Sequence, residues 1–323
     1  MRNAPRQRLE RRAVHGVLLL DKAYGVSSNA ALQQAKRLYR AEKVGHTGTL
    51  DPLATGLLPL CFGAATKFAQ ASLDADKRYL ATLRLGVTTT TADAEGEVVR
   101  VRETRVDRSG IEAACAAFVG AIRQLPPMHS ALKHAGKPLY EYARAGVAVE
   151  REARTVTIHA ITVVEGAADV WTLDVSCSKG TYIRTLAADI GEALGCGAHL
   201  AGLRRTGSGR LGLAGALPIE RLAELSERAR DDRLLPVDAL VADWPQVCLG
   251  GEDAGRFLAG ARRRLGLADA TQVRVYGPGE AFLGIGHVEG GELIAARLLS
   301  PDEVTTASAA PGPRNEESES LLS

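Results

Sequence analysis

Aromatic residues are scarce in this chain: Phe, Trp and Tyr together make up 4% of 323 residues. A core of ordinary size must therefore be built from Leu, Val, Ile and Ala, and hydrophobic residues at 46% suffice for it. No apolar run approaches the roughly 18 residues that a membrane-crossing helix needs. The stretch from Val17 to Leu20 is also too short for the apolar part of a secretory leader, although basic residues precede it. The expectation is a cytoplasmic protein without a membrane. Cysteines stand at 61, 115, 177, 196 and 248, an odd count with no C-x-x-C. That pattern argues against a disulfide framework or a zinc site and fits reduced, mostly buried thiols. The seven histidines form no H-E-x-x-H and no paired ligand spacing, so no metal is expected. Neither sign of charge dominates, the net being +2. A polyanionic partner would have to be met by local basic surface.

The length suits one large domain and one small one. Residues 1–13 carry five arginines and read as a basic arm, while 303–323, rich in Ser, Ala, Glu and Pro, read as a disordered tail. A buried strand is predicted over 16–20, then a turn near Gly25 and a helix from a cap at Ser27 or Ser28 to about Tyr39. Further strands are predicted over 79–85, 156–164 and 170–177, with 97–101 pairing to the first of these across a turn at 94–96. Helices are predicted over 107–122 and 184–194, the second with Leu186, Ile190 and Leu194 on one face. Strands and helices mix without regular βαβ alternation, which predicts an α+β fold with a largely antiparallel sheet flanked by helices. Beyond a break at 236–245 come a short helix (252–265), a strand (273–276) and a hairpin of 281–288 with 292–298, turning at Gly290-Gly291. This reads as a separate, small β-rich domain.

Three segments could carry chemistry. GHTGTLDPLATGLL, from Gly45 to Leu58, cannot form a regular element throughout, because Pro52 lacks an amide donor and pushes Asp51 out of the helical region. It offers one carboxylate, one imidazole (His46) and three threonine hydroxyls on a loop. Spacing alone leaves open whether Asp51 is functional or an ordinary turn-former before proline. Ser178 to Arg184 runs from a strand end through a glycine turn into a helix, where an arginine can pair with a carboxylate of another loop. Gln124 to Arg154 reads as a long insertion between a helix and a strand. Lys133, Lys137, Arg144, Arg151 and Arg154 stand there against three glutamates, with Tyr140 and Tyr142 interleaved, a mixture that suits a phosphate-and-base surface as well as a solvated helix. Gly207 to Gly212 fits G-x-G-x-x-G, but no strand is predicted before it, so a dinucleotide site is not expected.

Together these stretches resemble the bacterial tRNA pseudouridine-55 synthase family, often called TruB. HGVLLLDKAYGVSSN, GHTGTLDPLATGLL, KRYLATLRLGVTTTTADAEGE and CSKGTYIRTLAADIGEALGCGAHLAGLRRT are similar to its motifs in their order, and the segment from Gln124 resembles its T-arm-binding thumb. The resemblance implies a pseudouridine synthase catalytic domain over 14–240 with a thumb at 123–154, and a PUA-like domain over 245–302. It implies isomerisation of uridine-55 in the tRNA T-loop by a monomer, with no protein partner and no cofactor.

By the same resemblance, Asp51 is the carboxylate needed to break the N1–C1′ bond, either as a nucleophile or as a base toward the 2′ proton. Tyr79 stacks on the target uracil and helps remove its C5 proton. Arg184 pairs with Asp51 and would favour its anionic form. His46 fills the stack left by the flipped base, Lys22 and Tyr182 line the pocket, and Leu203 packs beside it. Lys133 and Lys137 belong to the tRNA-binding thumb. Two positions depart from the family pattern: Ala23 replaces the usual Pro, and His129 replaces the usual Tyr of the thumb.

Overall fold

The computed structural model describes residues 10–130 and 132–308. The first nine residues of the basic arm, and the tail beyond Ser308, lie outside the described residues. Among the described residues, thirteen strands precede the C-terminal unit. They are β1 (Gly16–Lys22), β2 (Val44–His46), β3 (Ala54–Phe62), β4 (Lys77–Leu85), β5 (Val87–Thr89), β6 (Val98–Val101) and β7 (Gly120–Gln124), then β8 (Lys133–His134), β9 (Lys137–Pro138), β10 (Arg154–Ala167), β11 (Val170–Cys177), β12 (Ala198–Ser208) and β13 (Leu211–Gly212). The helices among and after them are α1 (Ser28–Leu38), α2 (Ala69–Asp74), α3 (Arg108–Ala116), α4 (Leu139–Arg144), α5 (Ile183–Ala193), α6 (Ile219–Glu224) and α7 (Glu227–Asp231).

One large sheet runs β1-β3-β12-β4-β11-β10-β7, with β2 added to β3 and β13 to β12. Every pairing in it is antiparallel except β12 with β3. The α+β expectation with a largely antiparallel sheet therefore holds. β1 and β3 are apolar almost throughout because both their faces are covered. Leu18, Leu20, Leu58 and Leu60 pack with α1, while Val17, Leu19, Leu57 and Cys61 face the C-terminal unit. Helix α1 starts where expected: the Ser27 hydroxyl accepts from the Ala30 amide, and Ala31, Leu32 and Ala35 turn inward.

The C-terminal unit holds five strands in the order β14-β16-β17-β18-β15: β14 (Gln246–Cys248), β15 (Arg263–Arg264), β16 (Ala270–Tyr276), β17 (Phe282–Glu289) and β18 (Glu292–Leu298). Two helices, α8 (Gly251–Leu258) and α9 (Pro301–Ser308), complete it. It is not detached. Tyr276, Phe282 and Leu299 share one apolar cluster with Val17, Leu57 and Phe68, and the Phe68 and Phe282 rings meet edge-on at 5.1 Å.

Several expectations need correction. Residues 107–122 are not one helix: α3 ends at Ala116, and Gly120, at φ +106, opens β7. The insertion from Gln124 to Arg154 thus joins two strands, β7 and β10. β6 pairs with β5, not with β4, whose two edges are taken by β11 and β12. The G-x-G-x-x-G begins inside a strand, with the last two residues of β12, and turns into β13 instead of a helix, so no phosphate-binding helix terminus exists there. The expected helix over 252–265 stops at Leu258, and α9 occupies the first residues assigned to the tail. No helix among the described residues is long and apolar enough to cross a membrane.

Gly56 sits where β1, β3 and β12 meet. Its φ is +95, and an added Cβ would lie 2.3 Å from the Arg205 carbonyl oxygen. Gly146 also has positive φ (+69) but faces open space. Gly56→Ala should cost about 3 kcal/mol or more, since backbone strain and a backbone clash combine, and Gly146→Ala only about 1 kcal/mol. Thermal unfolding of both variants checks this; equal losses would show that the close approach at Gly56 relaxes freely.

Candidate active site

The loop between β2 and β3 is pinned on both sides of Asp51. On the near side, the buried Ser28 hydroxyl accepts from the Leu50 amide (2.8 Å) and donates to the Leu50 carbonyl (3.0 Å). On the far side, the Pro52 carbonyl accepts from the Gly25 amide at 2.9 Å and from Lys22 Nζ at 3.4 Å. The Ala54 amide closes a turn on the Asp51 carbonyl at 3.0 Å. The carboxylate thus projects from a backbone that cannot swing.

The pairing implied for Arg184 is present. Its Nε lies 3.0 Å from Asp51 Oδ2. The Arg184 side chain is 5% exposed, and its other donors reach the Thr91 carbonyl (3.3 Å), the His129 carbonyl (2.6 Å) and Asp93 Oδ2 (3.5 Å). A planar guanidinium with fixed donors suits four acceptors arranged around it. Because His129 contributes its main-chain oxygen, and its side chain is exposed, the unusual residue there leaves the clamp intact.

Asp51 borders a cavity of about 280 Å³, shared with Tyr79, Tyr182, Arg184, Leu203 and Arg205. Tyr79 comes from β4 and Leu203 from β12. Tyr182 precedes α5 and is locked by Gln124, whose side chain accepts from its amide at 3.0 Å and donates to its carbonyl at 3.3 Å. His46, on β2, is half-buried; burial, then the charge of Arg205, hold its pKa below the usual imidazole value. A neutral ring suits stacking better than a charged one.

Two expectations change. Lys22 does not line this cavity. It is 1% exposed, and its ammonium donates to the Ala23 and Val26 carbonyls as well as to Pro52. Burial lowers its pKa to about 8, against the opposing charge of Asp51. It braces the loop from behind, through main-chain oxygens, and so works with Ala23 as it would with proline. The second change concerns Asp51 itself. Arg184 does favour the carboxylate, but burial outweighs it and Asp93 adds repulsion, so the Asp51 pKa lies above its ordinary value. The side chain is 39% exposed, yet it sits in a concave site whose walls displace most of its hydration.

Lys133 and Lys137 are exposed on the β8–β9 hairpin, outside the cavity lining. Sequence reasoning missed three residues. Asp93 is buried beneath Arg184 and accepts from the Thr91 hydroxyl and the Glu95 amide; an Asp within a threonine-rich turn was its one signal. Gln124 was read only as the start of the insertion. Arg205 is 1% exposed, in a stretch that shows no strand pattern.

Models of three consecutive domains match the chain. These are the TruB family pseudouridylate synthase N-terminal domain over residues 36–183, the tRNA pseudouridylate synthase B C-terminal domain over 184–242, and the pseudouridine synthase II TruB C-terminal domain over 245–299. The chain is 57% identical over 303 residues to the tRNA pseudouridine synthase B of Burkholderia mallei, covering 92% of this chain and 97% of that one. It is 59% identical over 302 residues to the protein of the same name from Cupriavidus metallidurans, covering 90% and 96%. Among solved structures it resembles a chain of a Cbf5-Nop10-Gar1 complex, with TM-score 0.71 and 26% identity over 90% of this chain and 87% of that one.

The charges around Asp51 make its titration directional. Carboxyl-detected NMR titration should place its midpoint above 3.8, the ordinary value. Arg184→Gln should move it further up and Asp93→Asn should move it down, since the first removes attraction and the second repulsion. A midpoint indifferent to both substitutions would mean that burial alone sets it.

Proposed function

The chain belongs to the TruB family of pseudouridylate synthases, and we infer that it isomerises a uridine of tRNA to pseudouridine. Within that reaction the target is uridine-55 of the T-loop, reached by flipping it out of the stacked RNA into the cavity beside Asp51. The observation that carries this reading is a carboxylate on a pinned loop, 3.0 Å from a buried arginine and across one cavity from a tyrosine.

The chemistry is a change of attachment. The uracil leaves C1′ through N1, turns, and returns through C5, so no electrons or groups are exchanged with a second substrate. Asp51 serves cleavage of the N1–C1′ bond, for which it must be ionised, and Arg184 opposes the burial that would keep it protonated. Tyr79 and Leu203 hold the uracil ring on its two sides, and Tyr79 takes the C5 proton at the end. Tyr182, fixed by Gln124, lines the same cavity. His46 occupies the gap in the RNA stack. Flipping costs a few kcal/mol, which ring stacking offsets at roughly 1–3 kcal/mol per base.

The catalytic domain spans 14–240, with a thumb at 123–154 that grips the T-arm through Lys133 and Lys137, and residues 245–302 form a PUA-like domain. A monomer acting on tRNA in the cytoplasm, without a protein partner, completes the reading. The resemblance to a chain of the Cbf5-Nop10-Gar1 complex extends over both units.

Two experiments test it. Wild type, given unmodified tRNA tritiated at uridine C5, should release tritium and leave pseudouridine in the T-loop. Asp51→Asn should release none while binding tRNA nearly as well, because the carboxylate acts on the bond and contributes little to affinity. Parallel loss of binding and release would remove Asp51 from its chemical role. Replacing both Lys133 and Lys137 with Ala should weaken binding and flatten its dependence on salt by about one unit of slope per lost phosphate contact. An unchanged slope would take the hairpin off the RNA surface.

A further inference from the structure

Arg205 is a buried charge to which the reaction gives no task. Arg205 is 1% exposed, and among the described residues the ionisable group that stands opposite it across the sheet is the Tyr79 phenol, in the lining of the same cavity, and not a carboxylate. Its Nε donates to the Leu57 carbonyl at 2.7 Å and its Nη2 to the Gly48 carbonyl at 3.3 Å. On β12 it stands opposite Tyr79 of β4 and, on the other side, Gly56 of β3. One side chain thus joins the loop before Asp51, the strand after it, and the tyrosine across the cavity. A guanidinium buried against carbonyl dipoles is far costlier than an apolar side chain of the same volume. Such a cost at the floor of a site points to work done on a neighbour.

We propose that Arg205 is a positioning residue acting through Tyr79: it fixes the phenol oxygen relative to the Asp51 loop and supplies the positive charge against which that phenol ionises before it takes the C5 proton. This rests on the reaction inferred above. After C5 has bonded to C1′, C5 carries both the sugar and its hydrogen, and C6 is double-bonded to N1. The C5–H bond breaks, its proton passes to the phenolate oxygen, and its electron pair forms C5=C6. The C6=N1 pair moves onto N1, which takes a proton from water. Tyr79 then returns its proton to solvent.

The surrounding charges leave this task to Arg205. Burial raises the Tyr79 pKa, and the groups facing the phenol are Arg205, Cys177 and Asp51; Arg205 favours the phenolate, while the other two oppose it. Lys22, Lys77 and His46 feel the same guanidinium, but their own burial already disfavours their charged forms.

The test uses full-length protein and C5-tritiated tRNA, with 3-fluorotyrosine placed at position 79 to give a more acidic phenol. Arg205→Met should slow tritium release about 100-fold, in the range expected for a proton-transfer group, and Arg205→Lys should recover about tenfold of that. Fluorotyrosine should raise release in Arg205→Met by a clearly larger factor than it changes release in the protein with Arg205 intact, and should shift the pH dependence of the variant back toward neutrality. Undiminished release from folded Arg205→Met, or a defect that neither Lys nor fluorotyrosine relieves, overturns the assignment. If Arg205→Met does not fold, Arg205→Lys takes its place, and a slowing that fluorotyrosine fails to relieve counts against the proposal in the same way. No release from wild type would overturn the reading of the reaction itself, and the role of Arg205 with it.

Discussion

A guanidinium at 5% exposure must find acceptors for its donors inside the protein, and Arg184 finds them on three separate stretches of chain. Asp51 comes from the loop between β2 and β3, Thr91 and Asp93 from the turn before β6, and His129 from the segment that follows β7. Any one of these moving away would strand a buried polar group, at a cost of order 1–3 kcal/mol for each lost partner. The arginine therefore fixes where the segment between β7 and β10 leaves the sheet as firmly as it fixes the carboxylate. Rigidity elsewhere serves the same end: Ser28 and Lys22 hold the loop from behind, and Gln124 holds Tyr182.

The two buried arginines of the site do different work. Arg184 meets carboxylates and carries the compensation for Asp51, whose burial pushes toward the neutral acid. Arg205 stands opposite a phenol across the sheet and donates to two carbonyls. Both line one cavity, and together they let a single desolvated pocket hold an acid and a phenol under separate electrostatic control. Burial raises the pKa of both groups, and each has its own cation acting the other way.

Much of this was legible in the residues. The run GVLLLDK announced a covered strand, the Ser27 cap fixed the start of α1, and Asp51-Pro52 marked a loop that could not be regular. The Asp51–Arg184 pair was accessible only through the resemblance of ordered motifs, because nothing local tells an arginine which distant carboxylate it will meet. β12 was invisible for a physical reason. Its sequence AHLAGLRRTGS contains two glycines and two adjacent arginines, and the strand is held by neighbours on both edges instead of by its own β propensity. Arg205 reads as surface in any scale that prices charge for water. Residues 107–122 misled in the opposite sense: AACAAF carries helical propensity up to Ala116, and the strand that follows is dictated by pairing with β10. The direction of the Asp51 shift was missed because the depth of a cavity is a tertiary quantity.

The position of β12 also sets a timetable. It lies between β3 and β4, yet it follows both by more than a hundred residues in the chain. Until it arrives, one whole edge of β4 and the first residues of β3 are left without a partner, a state that invites strand pairing between molecules. Its arrival closes these edges and delivers Leu203 and Arg205 in the same event. During synthesis the pocket is thus among the last parts of the large sheet to form, and a chain released before residue 198 would be both incompetent and adhesive.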